Sequence, residues 1–208
     1  MMHAYDENLL YKAQITLANM LDTAVNTYGY DLKVFYFLFL NSVYCKRFER
    51  GESSVIAGMS GTELAYEIIS EHDNVDLAES SYQVQRSTEY WIGWSLSFYQ
   101  WYSGKTFKEI NEVADMDAFC KMYTTFHEMD IMQLVDALDE NSVAFNAQKL
   151  KRLRTYAGLS QKELAEKTGI PLRTIQQYEQ GQKDLSHARA DSVLTLARAL
   201  YCEVSDII

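Results

Sequence analysis

The sequence predicts an all-α protein, with a larger N-terminal helical domain over residues 1–145 and a smaller C-terminal domain over residues 146–208. Hydrophobic residues make up 48% of the 208 positions, which is enough for a packed core. Turn-forming residues are scarce, since the chain has one proline and nine glycines. Apolar side chains recur at helical spacing. We place the domain boundary after the polar stretch 139–142, which we expect to interrupt the helices.

The first two helices are indicated by apolar periodicity and by glycine stops. A first helix is predicted over residues 6–27, and Gly29 follows it as a C-terminal stop. A second helix is predicted over residues 31–50, ending at Gly51. Its apolar run 34–40 would also suit a buried strand, but the length and the flanking residues favour a helix.

A capping residue marks the predicted start of the next helix. Ser60 is a good N-cap for a helix over residues 60–70, and Glu63 completes a capping box three residues later. We expect residues 52–59 to form a loop and residues 72–85 to be irregular.

A helix over residues 88–102 carries large aromatic side chains on one face, and Gly104 closes it. We expect this face to lie in the core or at a domain interface, because large aromatic residues usually bury their area there; a ligand pocket is the alternative. Further helices are predicted after the cap Thr106 and over residues 115–139. The aromatic face consists of Trp91, Trp94, Phe98 and Trp101.

Charge is divided unevenly between the two parts of the chain. The net charge is −10, but residues 149–208 contain ten Lys and Arg against seven Asp and Glu, which gives +3. The preceding residues contain nine against 22, which gives −13. Only the C-terminal part is therefore suited to binding phosphates.

Several classes of protein lack support in the sequence. The longest apolar run, 34–40, is far shorter than the roughly 20 residues of a membrane span, and the acidic N-terminus does not resemble a signal peptide, so we expect a cytoplasmic protein. The cysteines and histidines do not have metal-ligand spacing, so we expect no metal or cofactor. Phosphate loops and nucleophile motifs are also lacking, which argues against an enzyme. The cysteines are Cys45, Cys120 and Cys202.

The C-terminal 60 residues contain a series of short helices with clear ends. Ser160 and Glu163 form a capping box at the start of a second helix, which stops at Gly169. Pro171 opens a third helix that ends near Gly181. Two short helices joined by a tight turn containing glycine form a helix-turn-helix unit.

The outward face of the third helix is rich in long polar side chains. It lies opposite Ile175 and Tyr178, which we expect to face the core. Arginine pairs with guanine and glutamine with adenine in the major groove of DNA, whereas a face that serves only solubility is more often made of Glu and Lys. The face consists of Leu172, Arg173, Gln176, Gln177 and Gln180.

These residues resemble a known family. The segment GLSQKELAEKTGIPLRTIQQYEQG is similar to the helix-turn-helix of the lambda-repressor-like, or Xre-type, family, and the later LARALYCEVSDII is similar to the closing helices of that family. The similarity covers about 60 of the 208 residues. It implies a five-helix DNA-binding domain.

The resemblance also implies roles for individual residues. Gln161 would touch a phosphate at the start of the second helix, Thr174 would lie near the DNA backbone, and Lys183 would neutralise a phosphate. Arg154 and Glu179 would form the semi-buried structural ion pair of the family. Four side chains of the third helix would face bases, namely Leu172, Arg173, Gln176 and Gln177.

The sequence departs from the family pattern at four places. Pro171 stands where a Ser or Thr cap is common, and Leu172 replaces a common polar residue that reads bases. The loop 182–190 is longer than usual, and Tyr201 replaces a common turn glycine. These departures leave the predicted fold unchanged, but they affect the assignment of side chains to bases.

Two functions follow as hypotheses. The first is a transcriptional repressor that binds a palindromic operator in double-stranded DNA as a homodimer, with residues 1–145 supplying dimerisation or effector binding. The second is an antitoxin-type interaction protein, whose N-terminal domain binds a partner such as a toxin and whose C-terminal domain autoregulates its operon. The local feature in favour of the second hypothesis is that the part of the chain before residue 149, which carries the −13 charge, is large for a module that only dimerises.

Overall fold

The computed structural model describes residues 3–77 and 86–208, and over these ranges it consists of helices and the turns between them. The predicted all-α class is therefore confirmed. The chain divides into two compact units between Val135 and Asp136, ahead of the boundary expected at residues 145/146. Within the described ranges, no helix combines the length and the apolar character that crossing a membrane requires.

The first unit is a set of mostly short helices. The predicted helix 6–27 is confirmed: a 3-10 turn at Glu7–Leu9 leads into α1, and a π-helical turn at Thr23–Thr27 extends it. Residues 72–77 are irregular as expected, while the rest of that prediction, 78–85, lies outside the described residues. The helices are α1 (Leu10–Asp22), α2 (Leu32–Asn41), α3 (Val43–Glu49), α4 (Ser53–Ile56), α5 (Gly61–Ser70), α6 (Thr88–Ser103), α7 (Phe107–Val113) and α8 (Met116–Phe126).

The predicted helix 31–50 is broken at Ser42, so the prediction of one continuous helix was wrong. Ser42 has an extended backbone with ψ 159°, and its side chain accepts a hydrogen bond from the backbone N–H of Cys45 at 3.2 Å. A serine side chain competes with the helix for backbone donors, which is why it starts α3 instead of continuing α2. The expected loop 52–59 contains the short helix α4.

The polar stretch 139–142 does not interrupt the helix in which it lies, so the prediction of a break there was also wrong. Helix α9 runs through it as Ile131–Tyr156. Asp139, Glu140 and Asn141 are exposed, and exposed polar residues are tolerated in a helix that contains no glycine or proline. The one or two helices predicted over residues 115–139 are confirmed as α8, which Asp115 caps, and the start of α9.

The core of the first unit forms around α1, and a glycine sets the approach of α6. A Cβ atom added to Gly93 would lie 2.5 Å from the backbone oxygen of Leu17 and 2.7 Å from the Cα of Ala18. Leu17 and Ala18 are fully buried. No side chain fits between the two backbones, so the face of α6 that meets α1 must carry a glycine.

The aromatic face of α6, which we expected in the core or at a domain interface, reaches the core of this unit only in part. Trp101 is buried, with 6% of its surface exposed, and its Nε1 donates to the backbone oxygen of Tyr5 at 2.9 Å. Trp91, Trp94 and Phe98 are only half-buried. The side of α6 that reaches the core is instead the side of Gly93, which carries Ile92, Leu96 and Tyr99.

Replacing Gly93 with alanine should destabilise the first unit. Alanine normally favours a helix by about 1 kcal/mol over glycine. Here the added methyl meets backbone at 2.5 Å, and overpacking of this kind costs about 1–3 kcal/mol. Because the helix preference of alanine offsets part of this cost, we expect Gly93→Ala to lower the free energy of unfolding by up to about 2 kcal/mol. Urea denaturation followed by tryptophan fluorescence measures this unit selectively, because all three tryptophans, Trp91, Trp94 and Trp101, lie in it.

Gly29→Ala is the matched control. Gly29 has φ +74° and no heavy atom within 4 Å of an added Cβ. Gly29→Ala should therefore lower the free energy of unfolding only by the roughly 1 kcal/mol that a left-handed backbone costs alanine. A Gly93→Ala protein as stable as the parent would contradict the close approach of α6 to α1.

Candidate nucleic-acid interface

The second unit contains the helices that the C-terminal motif predicts. The C-terminal part of α9 is followed by α10 (Gln161–Thr168), α11 (Leu172–Glu179) and α12 (Ala190–Leu200). The fifth helix expected from the resemblance is a single 3-10 turn, Val204–Asp206. Their shared core contains Leu150, Leu164, Ile170, Ile175, Tyr178, Leu185, Leu196, Ala197, Ala199, Leu200 and Ile207.

Helix α10 begins and ends as the sequence predicts. The Ser160 side chain accepts from the backbone N–H of Glu163 at 3.2 Å, and the Glu163 carboxylate accepts from the backbone N–H of Ser160 at 2.7 Å. The side-chain and backbone hydrogen bonds from Ser160 lower the pKa of Glu163. Gly169 ends the helix with φ 70°. The capping box is local in sequence, and it is the reason that α10 starts where it does.

Helix α11 begins one residue later than predicted. Pro171 has φ −54° and ψ 135° and serves as the N-cap, so the first helical residue is Leu172. Because proline has no side-chain acceptor, no side-chain hydrogen bond caps this helix. The first backbone N–H groups of α11 consequently lack the protein partner that a serine or threonine cap would provide.

An ion pair joins the end of α9 to the end of α11. Arg154 donates from Nε to Oε1 of Glu179 at 2.5 Å and from Nη2 to Oε2 at 3.0 Å. The exposed side-chain fractions are 12% for Arg154 and 2% for Glu179. The hydrogen bonds to Glu179 raise the pKa of Arg154, and Nη1 also donates to the backbone oxygen of Leu159 at 2.6 Å. The pair that the resemblance implied is therefore formed, and both oxygens of the carboxylate are used.

Gln161 is tied to the same carboxylate. Its Nε2 donates to Oε2 of Glu179 at 2.8 Å. The resemblance implied a phosphate contact for this side chain, but the link to Glu179 was not predicted, because residues this far apart give no pairing signal in a single sequence. An amide group carries a second N–H, so the hydrogen bond to Glu179 leaves one donor for another acceptor.

The predicted base-reading side chains lie on α11 opposite its buried side. Ile175 and Tyr178 are buried as predicted, while Arg173 is exposed and Leu172 is 38% exposed. Within residues 3–77 and 86–208, the Arg173 side chain takes part in no hydrogen bond or ion pair. Its donors remain available for a ligand. Thr174, Gln176 and Gln177 are half-buried.

Lys183 lies in the turn after α11. Its backbone N–H donates to the oxygen of Gln177 at 3.2 Å, which folds the turn back onto the helix. Its side chain is exposed and forms no ion pair among the described residues. The turn thus fixes the backbone of Lys183 and leaves its ammonium group in solvent.

The turn after α12 confirms one departure from the family pattern. Tyr201 adopts the left-handed conformation that glycine usually provides, with φ 56°. Lys167 Nζ lies 4.6 Å from the centre of the Tyr201 ring and donates to the backbone oxygen of Ala199 at 3.0 Å. These contacts hold a turn that is unfavourable for a residue with a side chain.

Removing the charge of Glu179 should destabilise this unit strongly. In Glu179→Gln, Arg154 would keep a largely buried charge without its partner, which typically costs about 3 kcal/mol or more. Hydrogen–deuterium exchange of the peptides from α10 and α11, resolved by mass spectrometry, measures the loss of protection.

Glu166→Gln is the control on α10. Glu166 forms an exposed pair with Lys162 at 3.9 Å, and such pairs contribute less than about 1 kcal/mol. Equal exchange in the two variants would mean that the Arg154–Glu179 pair does not hold the unit together.

Comparison with known proteins agrees with this geometry. Residues 150–207 match a family model described as Helix-turn-helix. The search of curated proteins and the search of solved structures returned no match. The family match covers the C-terminal part of the chain and does not extend to residues 1–149. Residues 150–207 therefore form a helix-turn-helix domain of the lambda-repressor-like type, as the sequence motif predicted.

Proposed function

We propose that the protein is a sequence-specific transcriptional regulator that binds an operator through residues 146–208. The observation that carries the proposal is the helix-turn-helix of residues 150–207, whose third helix α11 turns an exposed polar face away from the core. In a domain of this kind the second helix, here α10, crosses the DNA backbone, while the third helix, here α11, enters the major groove.

The proposed base contacts come from the exposed face of α11. Arg173 pairs with O6 and N7 of a guanine, since its guanidinium donors have no partner among the described residues. Gln176 and Gln177 pair with adenines. Leu172, which is partly exposed and apolar, contacts a thymine methyl group.

The proposed phosphate contacts come from three other residues. Gln161 uses its second amide N–H together with the backbone N–H groups at the start of α10, where the helix dipole favours an anion. Lys183 neutralises a phosphate beside the end of α11, and Thr174 lies near the DNA backbone. Contacts of this kind position the domain but carry no sequence information.

We further propose that the protein binds as a homodimer, with one C-terminal domain in each half-site of a palindrome. Half-sites about one helical turn of DNA apart suit a two-fold symmetric pair of helix-turn-helix units. Bound near a promoter, such a dimer would repress by blocking polymerase. This role would place the protein in the cytoplasm, with the chromosome.

The antitoxin-type alternative depends on the charge of the first part of the chain. Residues before 149 carry a net charge of −13, which suits a basic partner protein. Light scattering of the protein purified with and without its neighbouring gene product separates the two functions. A stable homodimer in both preparations supports the regulator, whereas a stoichiometric complex supports the interaction protein.

Fluorescence anisotropy on DNA from upstream of its own gene tests the main proposal. The comparison is scrambled DNA of the same composition, at two salt concentrations. Tight, selective and salt-sensitive binding supports the regulator. Weak binding that is equal on both DNAs would overturn it.

Replacing Arg173 with alanine should reduce specific binding. We expect Arg173→Ala to cost about 1–3 kcal/mol of operator affinity and to relax the preference at one base pair, because one bidentate contact is lost. Arg50→Ala, which removes an exposed arginine from the first unit, should leave affinity unchanged. Unaltered operator affinity in Arg173→Ala would refute the assignment of Arg173 to a base.

Replacing Lys183 with alanine should weaken binding to all DNA alike. The loss of one phosphate contact should reduce the slope of log affinity against log salt by about one unit. Titrations of operator and scrambled DNA at several salt concentrations measure the slope. A changed base preference with an unchanged slope would mean that Lys183 reads a base.

A further inference from the structure

The first unit contains a cavity of about 430 Å³ that the DNA-binding role does not use. It lies between α6, α8 and the segment leading into α9. Its walls are mainly aromatic, and one side chain with a permanent positive charge, that of Arg86, also lines it. The aromatic walls come from Tyr90, Trp91, Trp94, Tyr123 and Phe126.

The rings are arranged as walls around a space. Trp91 meets Tyr123 edge to face, with ring centres 5.5 Å apart and planes at 71°. Tyr123 in turn stacks on His127 at 4.6 Å. The Nδ1 of His127 lies 2.8 Å from the backbone oxygen of Tyr123, which fixes the imidazole in the wall. Rings at these distances support each other and present flat apolar surface to the cavity.

The volume of the cavity sets the size of its ligand. Pockets of about 300–1,000 Å³ accept small organic molecules. A cavity of about 430 Å³ is near the lower end of that range and suits one ring or two fused rings. Aromatic walls favour a planar ligand, because offset and edge-to-face ring contacts add to the burial of apolar area.

The charge of the lining sets the sign of the ligand. No carboxylate is among the described residues that line the cavity. The guanidinium of Arg86 lies 4.8 Å from the centre of the Tyr90 ring and forms no ion pair within the described ranges. An arginine at the edge of an aromatic cavity offers a carboxylate two parallel hydrogen bonds.

We infer that this cavity binds a small planar aromatic carboxylate, with the ring against the aromatic walls and the carboxylate paired with Arg86. Aromatic cages also bind quaternary ammonium ions through cation–π contacts. The positive charge of Arg86 opposes such a cation, so the anionic ligand is favoured. The inference is independent of the DNA-binding role, since all of its residues belong to the first unit.

Isothermal titration calorimetry of the full chain tests the inference with three probes: 2-naphthoate, its neutral amide 2-naphthamide, and benzyltrimethylammonium. We expect 2-naphthoate to bind at least tenfold more tightly than 2-naphthamide, because only the carboxylate pairs with Arg86. Tighter binding of the ammonium probe would identify a cation cage and overturn the inference. Absence of binding by all three probes, or equal binding of acid and amide, would also overturn it.

Arg86→Gln tests the assigned partner, since Arg86 is exposed and its replacement leaves the aromatic walls intact. We expect this variant to bind 2-naphthoate only as tightly as 2-naphthamide, with the amide unaffected. Arg50→Gln, which removes an exposed arginine that does not line the cavity, is the matched control and should bind all probes as the parent does. Retention of the full preference for the acid in Arg86→Gln would show that the carboxylate is bound elsewhere.

Discussion

The carboxylate of Glu179 is the constraint on which the geometry of the helix-turn-helix depends. It accepts two hydrogen bonds from Arg154 and one from Gln161, and Arg154 also reaches the backbone oxygen of Leu159. One buried group thus ties together the end of α9, the following loop, the start of α10 and the end of α11. Burying a carboxylate is costly unless its lone pairs are satisfied, and here both oxygens have donors. The exposed face of α11 is therefore presented by a helix fixed at its C-terminal end.

In the first unit the comparable constraint is the contact between two backbones. Gly93 turns one side of α6 against α1, at a distance that excludes any side chain. The half-buried tryptophans Trp91 and Trp94 then lie away from this contact and line the cavity with residues of α8. Because Gly93 sets the side of α6 that packs against α1, the rings of Trp91 and Trp94 remain outside the core. The packing of α6 therefore accounts for the part of the cavity wall that Trp91 and Trp94 form.

Features set by neighbours in sequence could be predicted, whereas features set by tertiary contacts could not. The capping boxes at Ser60 and Ser160 were found because donor and acceptor lie three residues apart. The buried side of α11 was found from the spacing of its apolar residues. The break at Ser42 was missed, since apolar residues continue on both sides of it. The core side of α6 was assigned to its largest residues, although Gly93, which has no side chain, marks the contact. The link from Gln161 to Glu179 has no local signal.

In the second unit, the positions of the charged residues matter more than their net charge. Residues 136–208 contain ten Lys and Arg and ten Asp and Glu, so their formal charges cancel. In α9, however, the acidic residues end at Glu140 and the basic residues begin at Lys149. Nine residues of helix span about 14 Å, which exceeds the Debye length of about 8 Å at physiological salt. The acidic end therefore barely weakens the potential at the basic end. A phosphate near the end of α9 would experience Lys151 and Arg152 rather than the neutral sum, so a domain with no net charge can still attract DNA on one side.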